Sequence, residues 1–149
     1  MPQSLSNLLY HMVWSTKYRC PVITDFREDL YHYIYSTITR EGGKVFAING
    51  TNDHIHVAAK LLPKHKVSAL LHVIKGNSSR WINEQNKSEN TFMWQAGYGA
   101  FSISKSKLKC IIQYIKNQEK HHRLKSFKDE YIELLQLHDI EYDERHLWN

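Results

Sequence analysis

The order in which strand-like and helix-like segments follow one another constrains the fold of this chain more than any other feature. Four segments alternate apolar and polar residues as strands do, and two longer segments between them repeat apolar residues at helical spacing. The order β-α-β-β-α-β is typical of split βαβ units, also described as ferredoxin-like or RRM-like. The sequence therefore predicts an α+β fold, a four-stranded antiparallel sheet with two helices on one face. The open sheet face of such folds commonly holds single-stranded nucleic acid.

The first half of the chain supplies three of the predicted strands and one helix. The first strand lies within LLYHMVWSTKY, and the first helix lies within TDFREDLYHYIYSTITREGG. Thr24 or Asp25 can cap this helix, and Gly42 and Gly43 can end it. The strands KVFAINGTN and DHIHVAAKLL follow, joined by a tight turn from Gly50 to Asp53.

The second half supplies the remaining strand and the other helices. KVSALLHVIKGNSSRWINEQ is predicted to be helical, with Gly76 as a weak point or a close backbone approach. TFMWQAGYGAFSIS is predicted to be the fourth strand, in which Gly97 and Gly99 indicate a bulge or a contact with another chain. KSKLKCIIQYIKNQEKHHR and FKDEYIELLQLHD are both predicted to be helical.

The length of 149 residues favours a single domain over 1–149. Within it we expect a core over about residues 1–104, a helix over about 105–123, and a C-terminal helix with an acidic tail over about 126–149. Charge changes sign near the last boundary: residues 105–128 carry eight Lys/Arg against one acid, and residues 129–149 carry seven acids against one Arg. The basic segment is either an ordinary solvated helix or a nucleic-acid face that ends where the tail begins.

Cysteine content and hydropathy bear on the cellular setting. Cys20 and Cys110 are far apart and form no CxxC pair, so neither a disulfide scaffold nor a cysteine zinc site is indicated. The sequence shows neither a signal-peptide pattern nor an apolar run long enough to cross a membrane. We therefore expect a cytoplasmic protein with no membrane partner.

Two residue patterns have the spacing of a metal-binding or catalytic site. His54 and His56 stand at i and i+2 on a predicted strand, so both side chains point to one face, which suits a metal ion or simply a polar rim. Tyr114, Gln118 and His121 lie on one stripe of a predicted helix, where Tyr114 and Gln118 can present a nucleophile and an oxygen ligand to one small volume. The ordinary alternative is a packing tyrosine and a surface glutamine.

Together these motifs resemble those of the single-tyrosine HUH transposases of the insertion sequence 200/605 class. HIH at residues 54–56 fits the histidine–hydrophobic–histidine motif, and YIKNQ at 114–118 fits the tyrosine helix. The segments HMVWSTKYRCPV, IKGNSSRW and WQAGYGAFSIS are similar to further signatures of the family. The resemblance covers nearly the whole chain.

The resemblance implies a DNA transposase that cleaves and rejoins single-stranded DNA at hairpin-marked element ends. Tyr114 would be the nucleophile and form a 5′-phosphotyrosine, and His54, His56 and Gln118 would bind Mg²⁺ or Mn²⁺. Members are homodimers that share active sites between subunits and act in the bacterial or archaeal cytoplasm, at the nucleoid. The candidate DNA contacts are Lys17, Arg19, Lys75, Ser78, Ser79, Arg80 and Tyr98.

Other functions remain open at this point. A split-βαβ nucleic-acid-binding module without catalysis has the same fold, although the intact His54, His56, Tyr114 and Gln118 argue against it. A domesticated nuclease-ligase acting on repeated genomic palindromes shares the chemistry and differs in its substrate. A zinc hydrolase is the least favoured, because its usual ligand patterns are absent from the sequence.

Overall fold

A computed structural model describes residues 3–148 of the chain. Its centre is a four-stranded antiparallel sheet in the order β2-β3-β1-β4. The strands are β1 (Leu8–Ser15), β2 (Lys44–Gly50), β3 (His54–Leu61) and β4 (Gly99–Ile103). The helices are α1 (Arg27–Arg40), α2 (Val67–Glu84), α3 (Leu108–Lys116), α4 (Gln118–His122) and α5 (Phe127–Leu137). The predicted α+β fold class is confirmed.

Helices α1 and α2 cover one face of the sheet, as the sequence predicts. Apolar side chains from both helices pack against those of β1 and β3 in the largest apolar cluster. The buried members of this cluster include Met12, Trp14, Leu30, Ile34, Ile38, Ile55, Val57, Leu70, Leu71 and Ile74. Tyr33 of α1 and Trp81 of α2 connect the two helices by stacking their rings, with centroids 5.0 Å apart.

The opposite face of the sheet is also covered, so the expectation of an open face for nucleic acid is wrong. Helix α3 packs over Ala47 and Ala58, which pair across β2 and β3 and whose small side chains leave room for Ile115. Helix α5 packs over Val13 and Phe101 of β1 and β4. The sheet is therefore the middle of three layers.

Several predicted boundaries differ from the structure. Neither Thr24 nor Asp25 caps α1: the N-cap position is Phe26, without a side-chain cap hydrogen bond. The fourth strand begins only at Gly99. Earlier in the segment that is predicted to form it, Trp94 makes an isolated antiparallel bridge to Thr16.

The helix predicted over residues 105–123 is broken. A short 3-10 turn at Lys105–Lys107 precedes α3, and the chain leaves helical geometry at Asn117 before α4 starts. Asn49 of β2 fixes this break, since its side-chain amide donates to the carbonyl oxygens of Ile115 and Lys116 at 3.0 and 3.1 Å. Carbonyl oxygens at the end of a helix lack partners within it, and the amide of Asn49 supplies hydrogen bonds to these two at the end of α3.

Two glycines allow close packing near the face of the sheet that carries His54 and His56. A Cβ on Gly50 would lie 2.0 Å from the carbonyl oxygen of His54, so the turn into β3 requires glycine there. A Cβ on Gly99 would lie 3.0 Å from the ring of Tyr131, so this glycine, for which the sequence predicts a bulge or a contact with another chain, lies against α5 of its own chain. Gly76 has open space around it. Among residues 3–148, none of the helices combines the length and apolar character needed to cross a membrane.

Candidate active site

The two histidines of β3 stand at the centre of a buried polar cluster between the sheet and the C-terminal helices. His54 and His56 point to the same face, as predicted, and both are fully buried. The Nδ1 atom of His54 lies 2.7 Å from an oxygen of Asp53, and Nδ1 of His56 lies 2.8 Å from Nε2 of His11. With both Nδ1 atoms engaged in this way, the two Nε2 atoms face the interior of the cluster.

The end of α3 and the start of α4 bring Tyr114 and Gln118 to these histidines. The ring of Tyr114 lies 5.8 Å from that of His56, centroid to centroid. Gln118 is fully buried, and its Oε1 atom lies 3.0 Å from Nε2 of His54. The structure thus places all four central residues predicted from the sequence in one site of one chain.

Helix α5 adds a carboxylate that the sequence reasoning missed. Glu130 is only 2% exposed, and its Oε1 atom lies 2.9 Å from Nε2 of His56. Its other oxygen accepts a hydrogen bond from the hydroxyl of Tyr114. The local signal is weak: Glu130 shares a face of α5 with Phe127 and Tyr131, and its burial follows only from the packing of that helix on the sheet.

His122, one turn after Gln118, also enters the cluster. Its Nε2 atom lies 3.1 Å from Oε1 of Glu130 and 3.0 Å from Oε1 of Gln118. The ligand atoms of His54, His56, His122 and Glu130 all lie within 4.8 Å of one another. His121 was the histidine singled out from the sequence. Its ring packs edge-on against Tyr114, and its Nε2 atom lies 3.4 Å from Oε2 of Glu130, outside the group of candidate ligand atoms.

Burial and hydrogen bonding set the charges in the site. Burial lowers the pKa of His56 to about 4 and that of His11 to about 3, so both imidazoles are neutral at pH 7. Burial opposes the ionisation of Glu130, but hydrogen bonds from His122, His56 and Tyr114 outweigh it and hold the pKa of this carboxyl far below its usual range. Burial, reinforced by the Glu130 charge, raises the pKa of Tyr114 well above its usual value.

The donor set fits a divalent cation. A histidine that binds a metal through Nε2 usually has its Nδ1 atom hydrogen-bonded to a fixed partner. Amide and carboxylate oxygens suit Mn²⁺ and Mg²⁺. Nε2 of His54 and Oε1 of Gln118 lie 3.0 Å apart, and two lone pairs that face each other at this distance require a proton or a cation between them. The cluster is therefore a group of side chains that can hold a metal ion.

Comparison with known proteins identifies the family. The family model described as "Transposase IS200 like" matches residues 4–118. The chain belongs to the IS200-like transposase family. Membership in this family gives the chain an enzymatic, DNA-cleaving role, and HUH-type members of the family are typically metal-dependent.

Individual relatives agree with this assignment. The transposase for insertion sequence element IS200 of Salmonella typhimurium is 29% identical over 118 residues, which are 75% of this chain and 77% of that protein. A solved structure from Deinococcus radiodurans R1, provisionally described as a transposase, is 27% identical with a TM-score of 0.62 and covers 79% of this chain and 98% of its own. A REP-associated tyrosine transposase, solved bound to a REP hairpin, shares the fold at 14% identity, with a TM-score of 0.63 and coverage of 82% and 72%.

The predicted DNA contacts of this IS200-like chain fall into two groups. Lys17 and Arg19 lie in a 3-10 turn after β1, where the guanidinium of Arg19 lies 4.3 Å from the ring of Trp148. The second group lies on and near α2, on the sheet face away from the histidines, and comprises Lys75, Ser78, Ser79, Arg80 and Tyr98.

One member of the second group is wrongly assigned. Ser78 is fully buried and accepts a hydrogen bond from the indole of Trp94 at 2.9 Å, so it cannot reach a phosphate. Lys75 and Tyr98 line an open groove of about 480 Å³. The ammonium of Lys75 donates to the carbonyl oxygen of Gly97 at 2.8 Å, and burial lowers the pKa of this lysine to about 8.

A basic groove beside the site is a further feature that sequence reasoning did not place. Arg27 of α1 faces three cations of the segment around α4, and Glu28 and Glu119 accompany them. The three are Lys116, Lys120 and Arg123. The groove carries four positive side chains against two acidic ones and borders α4, which starts at Gln118.

Proposed function

We propose that this chain cleaves and rejoins single-stranded DNA at hairpin-marked element ends through a covalent 5′-phosphotyrosine on Tyr114. One observation carries the proposal: the hydroxyl of Tyr114 reaches into the same buried cluster as His54, His56 and Gln118. A tyrosine that served only packing would have no need of two imidazoles and an amide oxygen beside its hydroxyl. Family membership supports the reaction class.

Tyr114 is the nucleophile in this proposal. Its oxygen forms a bond to the scissile phosphorus, the bond from phosphorus to the 3′ oxygen breaks, and the 3′ oxygen takes up a proton from solvent and leaves as a hydroxyl. The hydroxyl must lose its proton during attack. Glu130 orients the hydroxyl by accepting its hydrogen bond, but its carboxyl has a pKa far below the usual range and is too weak a base to keep the proton, which goes to solvent. Since the phosphotyrosine keeps a phosphodiester bond, the reverse step can rejoin the strand.

His54, His56 and Gln118 would hold a divalent cation, Mg²⁺ or Mn²⁺, in this reaction. The bound ion would polarise the scissile phosphate and neutralise charge on the leaving oxygen. Asp53 and His11 fix the orientation of the two imidazoles through their Nδ1 atoms. These contacts hold the ligands in place before the substrate arrives, which is how preorganised sites gain rate.

Contacts to the DNA would come from basic and polar side chains outside the cluster. Lys17, Arg19, Lys75, Ser79, Arg80 and Tyr98 remain candidates, and Ser78 is withdrawn because it is buried. The basic groove of Arg27, Lys116, Lys120 and Arg123 borders Gln118, and we include it as a path for the single strand towards the cluster. Each phosphate neutralised on a single strand should contribute about −0.7 to the slope of log affinity against log salt.

The proposal includes a homodimer, which the family resemblance implies. In the structure, Tyr114 lies beside the histidines of its own chain, so one chain is sufficient to bring the four central residues together. A dimer can keep this arrangement or exchange its tyrosine helices between subunits. The two arrangements differ in whether inactive variants of different residues restore each other when mixed.

His54→Ala tests the proposed function directly. The substrate is a labelled single strand that carries a hairpin next to the cleavage site, assayed with Mn²⁺, with Mg²⁺ and with EDTA. We expect the wild-type chain to cut only with a divalent ion, and His54→Ala to bind the hairpin with its affinity within about threefold of wild type but to lose cleavage by a factor of about 10³ or more. His32→Ala, a change at an exposed histidine of α1, is the matched control and should cut normally.

Two results would contradict the proposal. One is cleavage by the wild-type chain in EDTA, undiminished by His54→Ala. The other is equal affinity for plain duplex and for the hairpin-bearing single strand at matched salt, since a transposase of single strands must distinguish them. Loss of both binding and cutting in His54→Ala, with a lowered unfolding temperature, would make His54 structural.

A further inference from the structure

The C-terminal helices contribute more ligand atoms to the cluster than the motif of the family predicts. We propose that His122 of α4 and Glu130 of α5 bind the same ion as His54 and His56, so that the site is a three-histidine, one-carboxylate centre with Gln118. The inference rests on the proposed function, because it concerns the ion of that site. The family match ends at residue 118, so neither His122 nor Glu130 lies within the matched part of the chain.

The orientation of His122 is the first argument. Its Nδ1 atom lies 2.7 Å from the carbonyl oxygen of Lys125, an acceptor, so Nδ1 carries the proton and donates it. When the ring is neutral, its lone pair is therefore on Nε2, which faces Gln118 and Glu130 at 3.0 and 3.1 Å. His54 has the same arrangement, with Nδ1 held by Asp53 and Nε2 facing the cluster. Both rings therefore have the form of metal-binding histidines.

The position of Glu130 is the second argument. Its Oε1 atom lies 2.9 Å from Nε2 of His56, 3.1 Å from Nε2 of His122 and 3.6 Å from Nε2 of His54. One carboxylate oxygen thus faces three imidazole nitrogens, and it is almost fully buried. A buried carboxylate requires a positively charged partner, and a cation shared with the surrounding imidazoles satisfies all of these side chains at once.

The ligand set also selects among ions. Imidazole ligands suit first-row transition metals, whereas Mg²⁺ prefers oxygen ligands and keeps most of its water. A centre with three imidazoles and one carboxylate should therefore bind Mn²⁺ at least about tenfold more tightly than Mg²⁺. A centre formed by His54, His56 and Gln118 alone would have one imidazole fewer and no protein charge.

Removing either added ligand should weaken Mn²⁺ binding without removing it. The full-length chain is stripped with EDTA, dialysed, and titrated with Mn²⁺ while free Mn²⁺ is followed by electron paramagnetic resonance. We expect Glu130→Gln and His122→Ala to raise the dissociation constant at least about tenfold, and His54→Ala to abolish measurable binding. Glu133→Gln, at an exposed residue of α5, and His32→Ala are the matched controls and should bind as the wild type does.

The outcomes separate this inference from the proposed function. If His54→Ala loses Mn²⁺ while Glu130→Gln and His122→Ala bind it with wild-type affinity, the added ligands are refuted and the proposed site stands. If the folded wild-type chain binds no Mn²⁺, the metal-dependent function itself fails. Equal affinity for Mn²⁺ and Mg²⁺ in the wild type would refute the imidazole-rich centre.

A second measurement covers the case in which Glu130→Gln does not fold. Hydrogen exchange of the wild-type chain is compared with and without Mn²⁺. If Glu130 binds the ion, Mn²⁺ should slow exchange in α5, at residues 127–137, because opening of that helix would then require loss of a ligand. Protection confined to β3 and α4, with α5 unchanged, would overturn the inference.

Discussion

Acidification should destabilise the metal-free protein through two buried, neutral histidines, His56 in the cluster and His11 behind it. His11 and His56 share a hydrogen bond of 2.8 Å, and burial lowers their pKa values to about 3 and about 4. In the unfolded chain both have an ordinary pKa near 6.5, so below that pH the unfolded state binds more protons than the folded state. The free energy of unfolding must then fall as the pH is lowered from about 6.5 towards 4.

Linkage gives the magnitude of this effect. With these pKa values, each histidine should remove about 2–3 kcal/mol of stability between about pH 7 and about pH 4.5. His122 acts in the opposite direction: burial lowers its pKa, but its hydrogen bond and charge interaction with Glu130 outweigh burial and raise it, so protonation of His122 stabilises the folded state. His11 and His56 together should remove about 4–6 kcal/mol, and the net loss should be smaller than this because of His122. A loss of this order is a large part of the stability of an ordinary domain.

Urea unfolding in EDTA at several pH values between about 7 and about 4.5 measures this loss. The series ends there because the carboxyl of Glu130, with its lowered pKa, begins to contribute in the same direction below its ordinary value near 4.5. His11→Gln should remove about half of the pH dependence, and His32→Gln, at an exposed position, should leave it unchanged. A free energy of unfolding that stays constant over this range, or a full pH dependence in His11→Gln, would refute the view that these imidazoles are buried and neutral.

Two further predictions concern packing and DNA contact. Gly99→Ala should be less stable than Gly97→Ala by about 1–3 kcal/mol in urea unfolding, because only the first places a methyl group against Tyr131. Both substitutions change the entropy of the unfolded chain alike. Equal stabilities would mean that α5 does not pack as described. Ser78→Ala should lower stability by about 1–3 kcal/mol and leave the affinity for hairpin DNA unchanged. Arg80→Ala should leave stability unchanged, weaken the affinity and reduce the salt slope by about 0.7. If Ser78→Ala weakens the affinity at unchanged stability, Ser78 is a DNA contact.

Periodicity and short motifs were sufficient to predict the sheet, the first two helices and the four residues that the structure brings together, His54, His56, Tyr114 and Gln118. Alternation in β1 and β3 is a local property, and a strand places i and i+2 on one face whatever surrounds it. The pair His54 and His56 could therefore be placed from the sequence alone. Tyr114 and Gln118 followed from the helical spacing together with the family resemblance.

The contribution of the C-terminal helices could not be predicted in the same way. The break at Asn117 depends on Asn49, a residue on a distant strand, and no local pattern marks it. Glu130 lies in a segment whose net charge is strongly negative, so composition favoured a solvated acidic tail. Its burial depends on long-range partners, His56 among them, which become visible only when the helix is packed on the sheet.

Detection of a covalent adduct on Tyr114 tests the central claim most directly. Tyr114→Phe keeps the ring and loses the hydroxyl that donates to Glu130, so it should fold and bind hairpin DNA with a loss of about 1–3 kcal/mol in stability. Tyr131→Phe, at the buried tyrosine of α5, is the matched control. Each protein is incubated with Mn²⁺ and labelled hairpin-bearing DNA, denatured, and analysed by electrophoresis and peptide mass spectrometry.

A denaturant-resistant adduct is expected for the wild type and for Tyr131→Phe, with the nucleotide mass on the peptide that contains Tyr114, and none is expected for Tyr114→Phe. Mixing Tyr114→Phe with His54→Ala after proven subunit exchange shows how the proposed dimer builds its sites: restored adduct indicates tyrosine helices exchanged between subunits, and no adduct indicates sites within one chain. An adduct formed by Tyr114→Phe alone, or wild-type cleavage without any adduct, would contradict the account.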